Sequence, residues 1–290
     1  MRVRALRAFV AGSALVAVAA GGAWGQSLPR NVWNDVRWAA EDAFFLVSSP
    51  ARGDAGDWKT TAWVALATGA ALVIDDEVDR WIVEHPSSFA LDAVDPFTED
   101  HDAQLYDLGS GSLMVRISGV LYLAGLVFDS QALRDAGIGC ATAEKTQSAI
   151  RHGIYKLVSR RRPESANGDP FLISVPGGTW DDHSFFGGHG ANAMTCASFW
   201  TRRFDLSYAE PIILGAALGV NVGRVADRKH WLSDALVGAV FGYAMGKGMA
   251  DRQRGRADER ADDAGRPSPF EGLFLDHSGG ALLVGFNRTF

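Results

Sequence analysis

The chain has little cysteine: only Cys140 and Cys196 among 290 residues. Two cysteines do not make the disulfide framework of a small secreted domain. Their apolar helical surroundings favour two buried thiols over one bridge. No grouping of Cys and His has the spacing of a zinc site. Positive charge is not in excess either: 28 Lys and Arg stand against 34 Asp and Glu, a formal net charge of −6. No global basic field therefore points to nucleic acid as a partner. Internal repeats are absent. Long hydrophobic runs are missing as well, since the apolar stretches reach about 13–18 residues where a spanning helix needs ~20. Such lengths suit buried helices of a bundle, and equally short or tilted spans around a polar site. Membrane association stays open at this level.

What is present is a hydrophobic content of 47%, enough for one sizeable core. The N-terminus reads as an export signal. Arg2, Arg4 and Arg7 precede the small apolar run Ala8 to Ala20. Ala23-Trp24-Gly25 then offers a cleavage site that leaves Gln26 as the new N-terminus. The alternative is an uncleaved anchor helix. Either way the body is expected beyond the cytoplasmic membrane of a bacterium, in the periplasm or the cell-envelope membrane. The expected organisation is a signal peptide over 1–25, a helical domain over 26–250, a charged mobile linker over 251–269 and a C-terminal tail or hairpin over 270–290.

The body reads as helical. An aromatic, amphipathic helix is expected over Gln26 to Val47. Apolar helices follow over Thr60 to Ile74, where Asp75-Asp76 ends the run, and over Ser112 to Phe128. A short helix is expected over Asp79 to His85, stopped by Pro86. A more polar helix covers Thr142 to Ser159 and stops before Pro163. Glu164 to Gly188 is a long Gly-, Pro- and Asp-rich loop, of the kind that usually carries function. Helices follow over His189 to Phe204, Glu210 to Val222 and Leu232 to Met249. Weak alternation around Ser278-Gly279-Gly280 suggests a terminal β-hairpin.

Three patches carry the chemistry: Lys156 to Pro163 with its Arg160-Arg161-Arg162 run, Ser184 to His189, and Arg224-x5-His230-x3-Asp234. If His230 and Asp234 share a helix face, the carboxylate fixes one ring nitrogen and leaves the other as nucleophile or base. Arg224 is placed to fork onto phosphate oxygens. Gly187-Gly188-His189 stands where a loop enters a helix, and free N–H groups at a helix start attract an anion. His189 beside a bound phosphoryl group would serve as general acid. Arg162-Pro163 and Lys156 bring cations from the end of a preceding helix. For the reading to hold, His189 and His230 must converge on one cavity with Arg162 and Arg224.

In order, spacing and content, the segment from Lys156 to Asp234 resembles the type 2 phosphatidic acid phosphatase and vanadium haloperoxidase superfamily. That family's pattern is Lys-x6-Arg-Pro, then Pro-Ser-Gly-His, then Ser-Arg-x5-His-x3-Asp. Arg162, Pro163, Gly188, His189, Arg224, His230 and Asp234 match in place. The resemblance implies an all-α, multi-helix bundle. It also implies that His230 attacks phosphorus to form a phosphohistidine, that Asp234 orients His230, and that His189 protonates the leaving alkoxide. Arg162, Arg224, the Gly188 N–H and Lys156 would hold phosphate oxygens, with no metal and no cofactor. The substrate expected from it is a phosphorylated small molecule or a lipid phosphate or diphosphate.

Four positions depart from the pattern. Lys156 leaves five intervening residues, so that Tyr155 is the aligned position; Phe186 replaces the proline, Gly187 a phosphate-binding serine, and Gly223 the serine before Arg224. Arg160 or Arg161 is a candidate to replace the displaced lysine's charge. The competing readings are a degenerate member that binds phosphate or lipid headgroups without turnover and, further off, a haloperoxidase, whose vanadate the altered cradle would hold poorly.

Overall fold

The computed structural model describes residues 27–99, 105–174, 183–264, 273–276 and 283–286. The expected export signal, most of the expected hairpin turn and the middle of the 164–188 loop lie outside the described residues. Within them the fold is all-α, with eight α-helices. In chain order these are α1 (Ser27–Val47), α2 (Ala55–Glu84), α3 (Phe89–Val94), α4 (Gly111–Val127), α5 (Gln131–Leu157), α6 (Gly188–Arg203), α7 (Glu210–Ala226) and α8 (Leu232–Ala264). Two short antiparallel pairs accompany them: β1 (Ser159–Arg160) with β2 (Ile173–Ser174), and β3 (Leu273–Asp276) with β4 (Leu283–Phe286). The second pair supplies the two strands expected of a terminal hairpin.

Local chemistry sets the helix starts. Asp54 caps α2 by accepting the Gly56 and Asp57 N–H groups, and the Asp57 side chain accepts the Asp54 N–H in return. Ser130 caps α5. Along α5, Ala136, Cys140, Ala143, Gln147, Arg151 and Tyr155 are buried. They recur at three- and four-residue steps, so they form one inward stripe, and the stripe ends at the candidate site.

Helix α6 is the centre of the bundle and packs on α8, α7 and α5. Its contact with α8 is a close backbone approach. Gly238, Gly242 and Gly246 follow one face of α8 at four-residue intervals. A Cβ at Gly238 would come within 2.6 Å of the Gly187 carbonyl oxygen, and Cβ atoms at Gly242 and Gly246 would strike the Ala191 and Thr195 carbonyls. Glycine at these positions lets the two helices meet backbone to backbone. That contact sets Gly187 and His189 beside His230 and Asp234.

Three expectations are corrected. Asp75 and Asp76 do not end a helix; α2 runs through them to Glu84. The buried Asp75 carboxylate is satisfied by partners from other elements and so has no need of a terminus. The charged segment after Met249 is not a linker at its start, because α8 continues to Ala264. Its polar side chains are tied down: Arg202 pairs with Asp251 at 2.5 Å, Arg203 donates to Gln253 at 3.3 Å, and Arg256 pairs with Asp42 of α1. Finally, Cys140 and Cys196 form a disulfide. The stripes of α5 and α6 bring their Cα atoms to 5.1 Å, within bridging range. The bond lies in a core with Leu46, Met114, Phe199, Met245 and Met249.

Among the described residues no helix is long and apolar enough to cross a membrane. The first half of α2 nevertheless leaves Trp58, Trp63 and Leu66 exposed.

The disulfide spans 56 residues of chain. Replacing both cysteines by alanine should lower unfolding stability by about 2–4 kcal/mol. Urea denaturation of wild type and the double variant measures this, and wild type with reductant should approach the variant.

Candidate active site

The site forms where α5, the 158–163 segment, the start of α6, the end of α7 and the start of α8 meet. At its base lies a buried ionic chain. Arg160 donates from Nη2 to Asp75 Oδ2 at 2.8 Å, from Nη1 to Asp234 Oδ1 at 2.5 Å and to Ser233 Oγ at 2.8 Å, and from Nε to the Pro170 carbonyl at 2.7 Å. Asp75 in turn accepts the Ser233 N–H at 2.9 Å and its hydroxyl at 2.6 Å, at the first turn of α8. Asp234 also accepts the Ser184 hydroxyl and the Trp231 N–H. Burial raises the Asp234 carboxyl above its ordinary pKa, while Arg160 and the Ser184 hydroxyl pull it back. Arg160 was a candidate for the displaced lysine's charge. The structure gives it another task, because two buried carboxylates already balance its guanidinium. Arg161 contributes its carbonyl, which accepts the Trp231 indole N–H at 2.8 Å.

His230 is 4% exposed and lies in the turn between α7 and α8. It therefore does not share a helix face with Asp234, which sits in the first turn of α8. Its Nδ1 is 2.8 Å from the Ser184 carbonyl oxygen. The expected carboxylate contact is thus replaced by a backbone one. Asp234 acts at one remove: it holds the Ser184 hydroxyl, and Ser184 holds the ring. A carbonyl only accepts, so Nδ1 carries the proton and Nε2 presents its lone pair. Burial, with Arg224 and Arg162 nearby, keeps the ring's pKa well below 6.5. His230 is neutral at physiological pH.

His189 opens α6, stacked on Tyr106 with ring centroids 4.9 Å apart. Burial and Arg224 push its pKa down to about 4, with smaller contributions from Arg151 and Arg162 and an opposing one from Glu99. Both histidines are therefore within the electrostatic reach of Arg162 and Arg224, and His230 is within that of His189. The α6 start supplies N–H groups: its N-cap is Gly187, with no side-chain cap.

Lys156 is exposed. One position earlier, Tyr155 is buried, and on a helix one residue turns the side chain by ~100°. Tyr155 donates its hydroxyl hydrogen to the Phe186 carbonyl at 3.0 Å and accepts from Arg151 Nη1 at 3.0 Å. A Cβ on Gly188 would lie 2.5 Å from that Arg151 nitrogen. The guanidinium thus rests against the start of α6. Arg151 was missed in the sequence. Its signal is a four-residue step before Tyr155 on the same helix face.

The two glycines in serine positions differ. A Cβ on Gly187 meets only ordinary contacts, 3.5 Å to Ala235 and 3.6 Å to His230. A Cβ on Gly223 would lie 2.7 Å from the Phe97 carbonyl carbon, against fixed backbone. The first departure leaves an open place, and the second is imposed by packing.

Asp79 and Arg228 form a two-pronged ion pair at 2.7 and 3.0 Å. Arg228 Nη2 lies 3.3 Å from the Pro163 carbonyl, and Lys229 pairs with Glu164 at 2.6 Å. These contacts fasten the Arg162-Pro163 corner to the turn that bears His230. Beside His230 runs a narrow recess that also includes Asp75, Val78, Ile82, Val225 and Leu232. It shares Val78, Ile82, Val225 and Leu232 with an apolar cavity of about 400 Å³ between α2, α3, α7 and α8. Among the described residues no group of three or more His, Cys, Asp or Glu is arranged to hold a metal.

Residues 139–256 match a family model described as the PAP2 superfamily. No curated protein and no solved structure matches the chain.

Two predictions follow from the glycines and from the ionic chain. Gly187→Ser should fold with unchanged melting temperature, whereas Gly223→Ser should lose about 1–3 kcal/mol through overpacking; thermal melts of both variants compare them. Arg160→Ala leaves two carboxylates buried together and should cost about 3–5 kcal/mol, read by urea denaturation.

Proposed function

Because residues 139–256 of this chain belong to the PAP2 superfamily, a superfamily of phosphatase type, we propose that the protein hydrolyses a phosphomonoester through a phosphohistidine on His230. The observation that carries this reading is the state of His230: buried, neutral, its Nδ1–H engaged by the Ser184 carbonyl and its Nε2 lone pair available. Nε2 attacks phosphorus as the bond to the leaving oxygen breaks. Arg162, Arg224, Arg151 and the Gly188 N–H hold the equatorial oxygens, where developing charge meets fixed donors. His189 gives its proton to the leaving alkoxide. Water then attacks the phosphohistidine, His189 takes up the water's proton, and inorganic phosphate departs.

The apolar cavity beside the His230 recess supports an ester whose alcohol carries a hydrocarbon chain. The Cys140–Cys196 bridge supports an oxidising compartment, in line with export to the periplasm or cell envelope. A second reading, a binder without turnover, is favoured by Gly187, which offers no hydroxyl to the phosphate. The same experiment decides between the two.

Phosphate release from phenyl phosphate and from alkyl phosphates of increasing chain length should be measured in EDTA for wild type and His230→Ala. Wild type should turn over, with kcat/KM rising along the alkyl series, and His230→Ala should be inactive. Equal rates for both proteins would defeat the phosphohistidine. In the free enzyme His189 must be protonated to act as acid, and its pKa lies at about 4. kcat/KM should therefore fall as pH rises above about 4, while His230, whose loss of a proton frees the nucleophile, adds no fall of its own. The slope should vanish in His189→Ala.

A further inference from the structure

We propose that Glu99 is a specificity-determining residue, a carboxylate that occupies Arg224 in the free protein and disfavours substrates whose leaving group is itself anionic. The inference rests on the phosphatase reading and deepens it.

Arg224 is buried, and its Nη1 is already engaged: 3.0 Å from Glu99 Oε2, 3.3 Å from Asp227 Oδ2 and 3.4 Å from the Tyr106 hydroxyl. Two carboxylates thus meet one guanidinium that the reaction requires for phosphate. They differ in freedom. Asp227 is 6% exposed and three residues away on the same chain segment, whereas the Glu99 side chain is 48% exposed. Asp227 further accepts the Glu99 backbone N–H at 3.0 Å, which anchors the Glu99 main chain whatever its side chain does. Carboxylate and phosphate bind a guanidinium with the same charge-assisted geometry. An incoming phosphoryl oxygen and the Glu99 carboxylate therefore compete for Arg224, and Glu99 is the partner that can yield to solvent.

Glu99 shares Arg224 and Tyr106 with His189, whose ring stacks on Tyr106, and its charge favours the protonated ring. The leaving group departs on the His189 side. A neutral alcohol leaves there without penalty. The second phosphate of a diphosphate places its negative charge next to Glu99 and Asp227, and Arg224 cannot neutralise all of them. The other cation that acts on Glu99, Lys229, is paired with Glu164. The arrangement thus selects monophosphates of uncharged alcohols over diphosphates.

The test uses the full-length protein, with Glu99→Gln, which keeps the shape and removes the charge, and Glu99→Ala as a second variant; thermal melting confirms that each folds. Inorganic phosphate is titrated calorimetrically into each, and kcat/KM is measured for an alkyl phosphate and the alkyl diphosphate of the same chain length. Glu99→Gln should bind phosphate about tenfold tighter or more, the size of one charge-assisted contact. Its diphosphate-to-monophosphate ratio should rise by a similar factor, with Glu99→Ala moving the same way. Unchanged phosphate affinity and an unchanged ratio overturn the inference and leave the phosphatase reading standing. Weaker binding in both variants also overturns it and makes Glu99 a positioning residue for Arg224. Failure of wild type and both variants to bind phosphate or release it from any ester brings down the phosphatase reading as well.

Discussion

The site depends on one buried guanidinium. Arg160 joins Asp75 of α2 to Asp234 of α8, and through these carboxylates it reaches Ser233, Ser184 and the Trp231 N–H. A carboxylate buried without such a partner would be protonated or would expel its helix from the core. Arg160 therefore decides that α2, β1, the loop before α6 and the start of α8 share one fixed geometry. The His230 tautomer is a consequence of that geometry. Ser184 can present its carbonyl to His230 because its hydroxyl is held by Asp234, which is held in turn by Arg160.

Above this base two buried histidines lie within the electrostatic influence of Arg162 and Arg224. Burial and neighbouring arginines act in the same direction on both histidines, favouring the neutral ring. In the proposed reaction this suits His230 as the nucleophile, and it means that His189 would hold the leaving group's proton only weakly in the free protein. A bound phosphoryl group would add negative charge beside the ring and raise its basicity, coupling acid strength to occupancy.

Much of the fold was legible. The all-α class and the helix opening at Gly188 follow from local rules; the caps at Asp54 and Ser130, which start α2 and α5 ahead of the expected Thr60 and Thr142, were not read. The candidate catalytic pair His189 and His230 was legible from spacing, and so were Arg162 and Arg224. The residues that escaped were those whose meaning lies in a partner distant along the chain. Asp75 looks like a helix stop until Arg160, 85 positions later, is seen to bind it. Arg160 looks like part of a solvated basic run. Arg151 looks like an ordinary helix residue until α6 starts against it. Cys140 and Cys196 look like separate thiols until two helices pack at the depth of their stripes.

By itself the sequence determined which residue types are available and part of their local geometry: His189 at a helix start behind a glycine turn, and Arg162 held just before Pro163. These are properties of neighbours along the chain, set by sterics and hydrogen bonding over a few residues. Only the tertiary structure decided which cations lie near the two histidines, which carboxylate holds the support of His230, and which of two glycines leaves space for a side chain. Those outcomes depend on desolvation and on contacts between segments far apart in sequence, and no local pattern encodes them. Lys156 and Arg151 are the clearest case: five residues apart on one helix, one turned to solvent and the other buried against the start of α6.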